Sequence, residues 1–232
     1  MRWFWPFFVC FILVSCGIAQ SSKTSELMTT PPSLAYLALG DSYTIGESAN
    51  EFERWPLQLT AALRARGIVI GDPTIIARTG WTTDELNDAI DKAELNGTYD
   101  VVSLLIGVNN QYRGRTAENY REEFRGLLKR AIGFAGNRPQ RVVVLSIPDW
   151  GVTPFAEGRD RKKIAREIDD FNTINFEETV RAGAQYVDVT PISREAVRDP
   201  SLLAADGLHP SGKMYAAWAQ LAETKFLKAL EQ

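Results

Sequence analysis

The segment DVVSLLIG (100–107) is apolar at nearly every position from Val101 to Ile106. A strand with one wet face alternates polar and apolar residues, so a run that is apolar at both parities needs cover on both sides. LAYLAL (34–39), RVVVLSIP (141–148) and QYVDVT (185–190) read as further strands, as does the part of IVIGDPTIIAR (68–78) that follows the Gly-Asp-Pro break. Longer segments with helical spacing separate them, at 55–67, 82–95, 116–135, 159–182 and 211–231. Gly67 reads as the C-cap of the first helix. Thr82 or Thr83, with acids just behind, reads as the N-cap of the second. Parallel strands need a crossover to return the chain, and helices in those crossovers cover both faces of the sheet. The expected class is α/β: a three-layer α/β/α sandwich with a central parallel sheet of about five strands. A chain of 232 residues is long enough to bury one such core.

The N-terminus is a segment of another kind. MRWFWPFFVCFILVSC has one basic residue, Arg2, followed by an apolar run from Trp3 to Val14. About a dozen apolar residues suit a signal-peptide core and fall short of a bilayer span. The run ends in Leu13-Val14-Ser15-Cys16, which resembles the lipobox of bacterial lipoproteins. The resemblance implies a signal peptide over 1–15, cleavage before Cys16 and acylation of Cys16. It also implies a membrane attachment through that lipid, in the bacterial cell envelope at a periplasmic or outer-membrane face. An ordinary secretory signal cut nearby is the alternative. Residues 17–33 are polar and rich in Ser, Thr and Pro, so 16–33 reads as a lipidated tether and 34–232 as the folded domain.

In parallel α/β sheets, sites form beyond the carboxyl ends of the strands. The first strand runs into Gly40-Asp41-Ser42, the second into ARTGWTT with Gly80, and the third into GVNNQYRG with Asn109. ADGLHPSG, with Asp206 and His209, precedes the last helix. These residues make up an inventory for acyl transfer. A serine hydroxyl needs a base to take its proton, and His209 is the only imidazole in the chain. An acid must hold the imidazole in the right tautomer, and Asp206 lies three residues earlier. The oxyanion needs donors already in place: the backbone N–H groups of Ser42 and Gly80, and the side-chain amide of Asn109. Each residue also has a plainer reading. Ser42 caps a helix, Gly80 and Asn109 sit in turns, and His209 starts a helix before Pro210. Asp41 reads as holding its loop by hydrogen bonds.

Taken together, the blocks GDSY, ARTGWTT, GVNN and DGLHP resemble those of the SGNH hydrolases, the GDSL-type esterases and lipases. They occur in family order across 39–211. The resemblance implies a flavodoxin-like α/β/α domain and an ester hydrolase that works through an acyl-enzyme and needs no cofactor. Two positions depart from the family pattern: Tyr43 stands where Leu is common, and Asn110 where Asp is common. Gly-x-Ser-x-Gly, the α/β-hydrolase elbow, is absent at Ser42. Trp81 and Trp150 follow strand ends and are candidates for lining a substrate pocket. Arg113 and Arg115 lie just beyond Asn109, either exposed to solvent or facing an anionic group, and Asp149 has no assigned role. The substrate class stays open among short-chain esters, lysophospholipids, thioesters and acetylated glycans. Acyl transfer to an envelope glycan and a catalytically silent binding module are the competing functions.

Charge and composition remove other classes. A net charge of -3 lacks the basic balance that nucleic-acid binding favours. Both cysteines lie at 10 and 16, so the folded part has none for a thiolate metal site or a disulfide, and its carboxylates show no ligand spacing. The charge run GRDRKKIARE (158–167) reads as the solvated face of a helix.

Overall fold

The computed structural model describes residues 1–4 and 33–231. The chain divides into two units, Met1–Pro31 and Pro32–Gln232, and everything below concerns the second. The signal peptide, Cys16 and the tether lie outside the described residues, apart from positions 1–4 and 33.

Five parallel strands form one sheet in the order β2-β1-β3-β4-β5. They are β1 (Tyr36–Asp41), β2 (Thr74–Arg78), β3 (Val101–Leu105), β4 (Val142–Leu145) and β5 (Gln185–Val187). The three central strands β1, β3 and β4 are buried at every position. The edge strands β2 and β5 are only partly covered. Doubly apolar runs thus fill the centre, and the Thr, Arg and Gln of the edge strands meet water. The order reverses between β1 and β3, which is the switch point where such sheets open a crevice.

The helices are α1 (Ser42–Ile45), α2 (Trp55–Ala65), α3 (Thr83–Lys92), α4 (Val108–Tyr112), α5 (Ala117–Phe134), α6 (Arg161–Ala182), α7 (Thr190–Arg194) and α8 (Gly212–Leu230). α2 packs on α8, while α3, α5 and α6 pack in series. Trp55, Leu59, Leu63, Trp218, Ala222 and Phe226 bury their side chains from the first pair. Tyr120, Phe124, Leu127 and Phe171 do so from the second group. The C-cap of α2 is Arg66, one residue before the expected Gly67, which follows at φ +84°, a left-handed stop that glycine adopts without Cβ strain. Thr82 is the N-cap of α3, in a box with Glu85, whose carboxylate accepts the Thr82 N–H at 2.9 Å. The expected helix over 159–182 starts two residues later, with Asp160 as its N-cap, which leaves Arg159 in the preceding loop.

Candidate active site

β1 ends in Asp41, which caps the one-turn helix α1 by accepting the Tyr43 N–H at 3.0 Å. Ser42 therefore opens a helix straight off a buried strand, and its side chain is held at the crevice. Gly40 makes the tight entry possible: a Cβ there would come within 2.6 Å of the Leu105 carbonyl oxygen. Asp41 is fully buried and its second carboxylate oxygen has no partner among the described residues. Burial pushes its pKa up to about 7, against the hydrogen bonds that favour the charged form.

The loop before α8 brings Asp206 and His209 together. Asp206 Oδ2 lies 2.6 Å from His209 Nδ1. Asp206 Oδ1 accepts the Leu208 and His209 N–H groups at 2.9 and 3.0 Å, and Ser48 Oγ donates to Oδ2 at 2.7 Å. Desolvation works to raise the Asp206 pKa, but the bonds from His209, Ser48 and the backbone prevail and hold it far below the usual carboxylate range. An ionised Asp206 fixes the proton on Nδ1 and leaves Nε2 as the basic nitrogen. Ser42 and His209 line the same cleft, of about 130 Å³, together with Asn109. Neither Ser42 Oγ nor His209 Nε2 has a hydrogen-bond partner among the described residues. In unliganded enzymes such contacts are commonly long and close when substrate binds.

The two other candidate donors come from the β2–α3 turn and from α4. Gly80 sits at φ +83° in that turn. Arg113 donates to the Gly80 carbonyl at 2.6 Å and to Glu85 at 3.1 Å, so it anchors the turn on the box that caps α3. Asn109 Nδ2 donates to the Trp81 carbonyl at 2.9 Å, which orients the amide and leaves its second hydrogen unused. Neither Gly80 nor Trp81 is among the residues lining the cleft, and Trp81 packs half-buried against the core. Trp150 does line it, with Tyr43, Tyr112 and Phe155. The Trp150 indole N–H donates to Gln111 at 2.7 Å.

The sequence matches the model of the GDSL-like Lipase/Acylhydrolase family over residues 38–217. The chain belongs to this family. It is an ester-hydrolysing enzyme of the α/β/α kind. Comparison with curated proteins returned no match. Among solved structures it is similar to the lipase/acylhydrolase of Enterococcus faecalis, at 20% identity and a TM-score of 0.65, covering 84% of this chain and 95% of that one. It is also similar to the esterase EstA of a Pseudoalteromonas species, at 16% identity and 0.63, covering 86% and 100%. A third is the acetylxylan esterase Axe2 of Geobacillus stearothermophilus, at 18% and 0.62, covering 86% and 94%. At these identities the likeness establishes the shared fold.

The two departures from the GDSL-like pattern have visible consequences. The Tyr43 ring is buried and packs against the His209 ring, with centroids 5.4 Å apart and planes tilted by 58°. Asn110 turns away from the cleft: its oxygen accepts the Thr83 N–H at 3.1 Å and its nitrogen donates to Thr83 Oγ1 at 2.6 Å. The residues left open by sequence are engaged in the frame. Arg115 pairs with Asp84 at 2.8 Å and with Glu123 at 3.4 Å. Asp149 is buried, caps the turn carrying Trp150 and pairs with Arg194 at 2.9 Å. Ser48, Tyr112 and Phe155 were missed by sequence reading. Ser48 lies 158 residues from its partner Asp206, and no local pattern reports such a contact. Among the described residues, no group of three or more His, Cys, Asp or Glu is placed to hold a metal ion.

Proposed function

We propose that this enzyme is a serine esterase in which Ser42, His209 and Asp206 act as nucleophile, base and orienting acid. The observation that carries the reading is the convergence of Ser42, Asn109 and the Asp206-bound His209 on one cleft. Ser42 Oγ attacks the ester carbonyl while its proton passes to His209 Nε2. The N–H groups of Ser42 and Gly80 and the Asn109 amide receive the oxyanion. Collapse breaks the ester bond, and His209 gives its proton to the departing alkoxide. Water, deprotonated by His209, then attacks the acyl-Ser42, and collapse frees the carboxylic acid as His209 returns the proton to the departing Ser42 Oγ. The small cleft with aromatic walls supports a short acyl group. Ser42→Ala should abolish turnover of p-nitrophenyl acetate and labelling by a fluorophosphonate, with an unchanged circular dichroism spectrum. Retained turnover would reject the assignment.

The same proposal places the enzyme on a membrane of the bacterial envelope. The lipobox-like Leu13-Val14-Ser15-Cys16 supports a signal peptide over 1–15 and lipid on Cys16, with 16–33 as the tether to a domain over 34–232. Metabolic labelling with palmitate should mark the chain and be lost in Cys16→Ser. Equal labelling of both would rule the anchor out.

A further inference from the structure

Tyr112, Trp150 and Phe155 pack on one another with ring centroids 5.3 to 6.1 Å apart. All three line the cleft that holds Ser42 and His209. The Arg159 guanidinium lies over every one of them, 5.1 Å from the Tyr112 ring, 5.3 Å from Trp150 and 5.6 Å from Phe155. One of its nitrogens donates to the Tyr112 hydroxyl at 3.2 Å. Three ring faces and a hydrogen bond hold the cation where it is without neutralising it. Among the described residues Arg159 has no carboxylate partner, and neither does Arg161, which donates to the Gly151 carbonyl. The nearest acid in sequence, Asp160, is occupied in capping α6.

Most arginines near the site are already paired. Arg113 and Arg115 have carboxylates on α3, and Arg194 has Asp149 and Asp169. Among the described residues, Arg159 packs on the aromatic rings that line the cleft and has no carboxylate partner. A guanidinium has five N–H donors. Among the described residues only one of them has a partner. A cation with free donors thus packs against the aromatic rings that line the ester-binding cleft, and a guanidinium fork is suited to receive a carboxylate or phosphate oxygen pair.

We propose that Arg159 is a specificity residue that selects esters bearing an anionic group, carboxylate or phosphate, beside the scissile bond. The proposal rests on the reading of Ser42 as the nucleophile of this cleft. The test uses the full chain in detergent and two matched pairs. On the alcohol side, 3-acetoxybenzoate is compared with phenyl acetate. On the acyl side, the mono-p-nitrophenyl ester of adipic acid is compared with p-nitrophenyl hexanoate. The readout is the anionic-to-neutral ratio of kcat/KM within each variant, which cancels any loss of folded protein. At least one pair should favour the anion by about fivefold at low salt, as expected of one exposed ion pair. That preference should fade in ~0.5 M salt. Arg159→Gln should bring the ratio to one or below, and Arg159→Lys should keep part of it. A purely structural role would lower both esters of a pair together and leave the ratio unchanged, which would overturn the proposal. So would the absence of any anionic preference in the wild type, or a preference for acetylcholine over its neutral isostere. Failure of the nucleophile assignment is seen separately, as phenyl acetate turnover that survives Ser42→Ala.

Discussion

Asn110 uses both ends of its amide and is completely buried. Its nitrogen also lies 3.5 Å from a Glu123 carboxylate oxygen. An amide offers two donors, whereas a carboxylate offers only acceptors. Asn110→Asp restores the family's commoner residue but sets a buried carboxylate against the half-buried Glu123. The expected cost is about 2 kcal/mol, read as a lower urea midpoint. Adding Glu123→Gln should recover at least half of it, because the two positions are in contact and their effects are coupled. Sequence alone marked Asn110 as off-pattern but not why. The reason lies in its partners Thr83 on α3 and Glu123 on α5, which only the fold brings beside α4. Ser42, Asn109 and His209, which line the cleft, and Asp206, which bonds His209, could be singled out for the opposite reason: each is a special residue at the end of a regular element. Arg159 was not legible, because its charge run reads as a helix face and its three rings come from two separate segments.

At the scale of elements, the long helices and the central strands could be read from periodicity. The one-turn helices α1, α4 and α7 could not. A helix that short is unstable by itself and exists because tertiary contacts hold its ends. α4 shows how. Gly107 enters it at φ +130°, and a Cβ there would lie 2.6 Å from the Tyr120 ring and 2.7 Å from Ile147. Tyr120 in turn donates to the Ile106 carbonyl at 3.0 Å. The glycine thus lets β3 turn sharply over α5 and deliver Asn109 to the cleft. Gly107→Ala should destabilise the domain by about 2–3 kcal/mol through strain and overpacking. It should also lower kcat for phenyl acetate, since α4 carries a proposed oxyanion donor. A thermal melt and steady-state kinetics on the same preparation check both effects.

The whole molecule balances two opposite kinds of carboxyl group. Glu178 on α6 is held at about 2, chiefly by Arg125, with Arg121 and Arg181 adding bonds. Asp84 is also held at about 2: desolvation opposes this, but Arg115 and Thr82 outweigh it. A carboxyl whose folded pKa is depressed contributes stability above its unfolded pKa, and that stability is lost as pH falls from about 4 toward 2. Asp41 works the other way. With a folded pKa of about 7, its contribution is full below about pH 4 and fades as pH rises through 7. Stability should therefore peak near pH 4–5 and decline toward neutrality. Asp41→Asn keeps an acceptor for the Tyr43 N–H and removes the titration. Urea unfolding at pH 8 should find the variant more stable than wild type, by up to about 4 kcal/mol, with the advantage shrinking at pH 4. The same long-range assembly has a consequence in time. The proposed nucleophile and oxyanion donors all lie in the first half of the chain, while base and acid share a turn just before α8. α8 docks on α2 and reaches across β3, β4 and β5. A chain still leaving the ribosome would expose an inert serine. On the proposed assignment, hydrolytic activity would arise only when the last helix closes on the second, so a newborn molecule would not attack esters before it is whole.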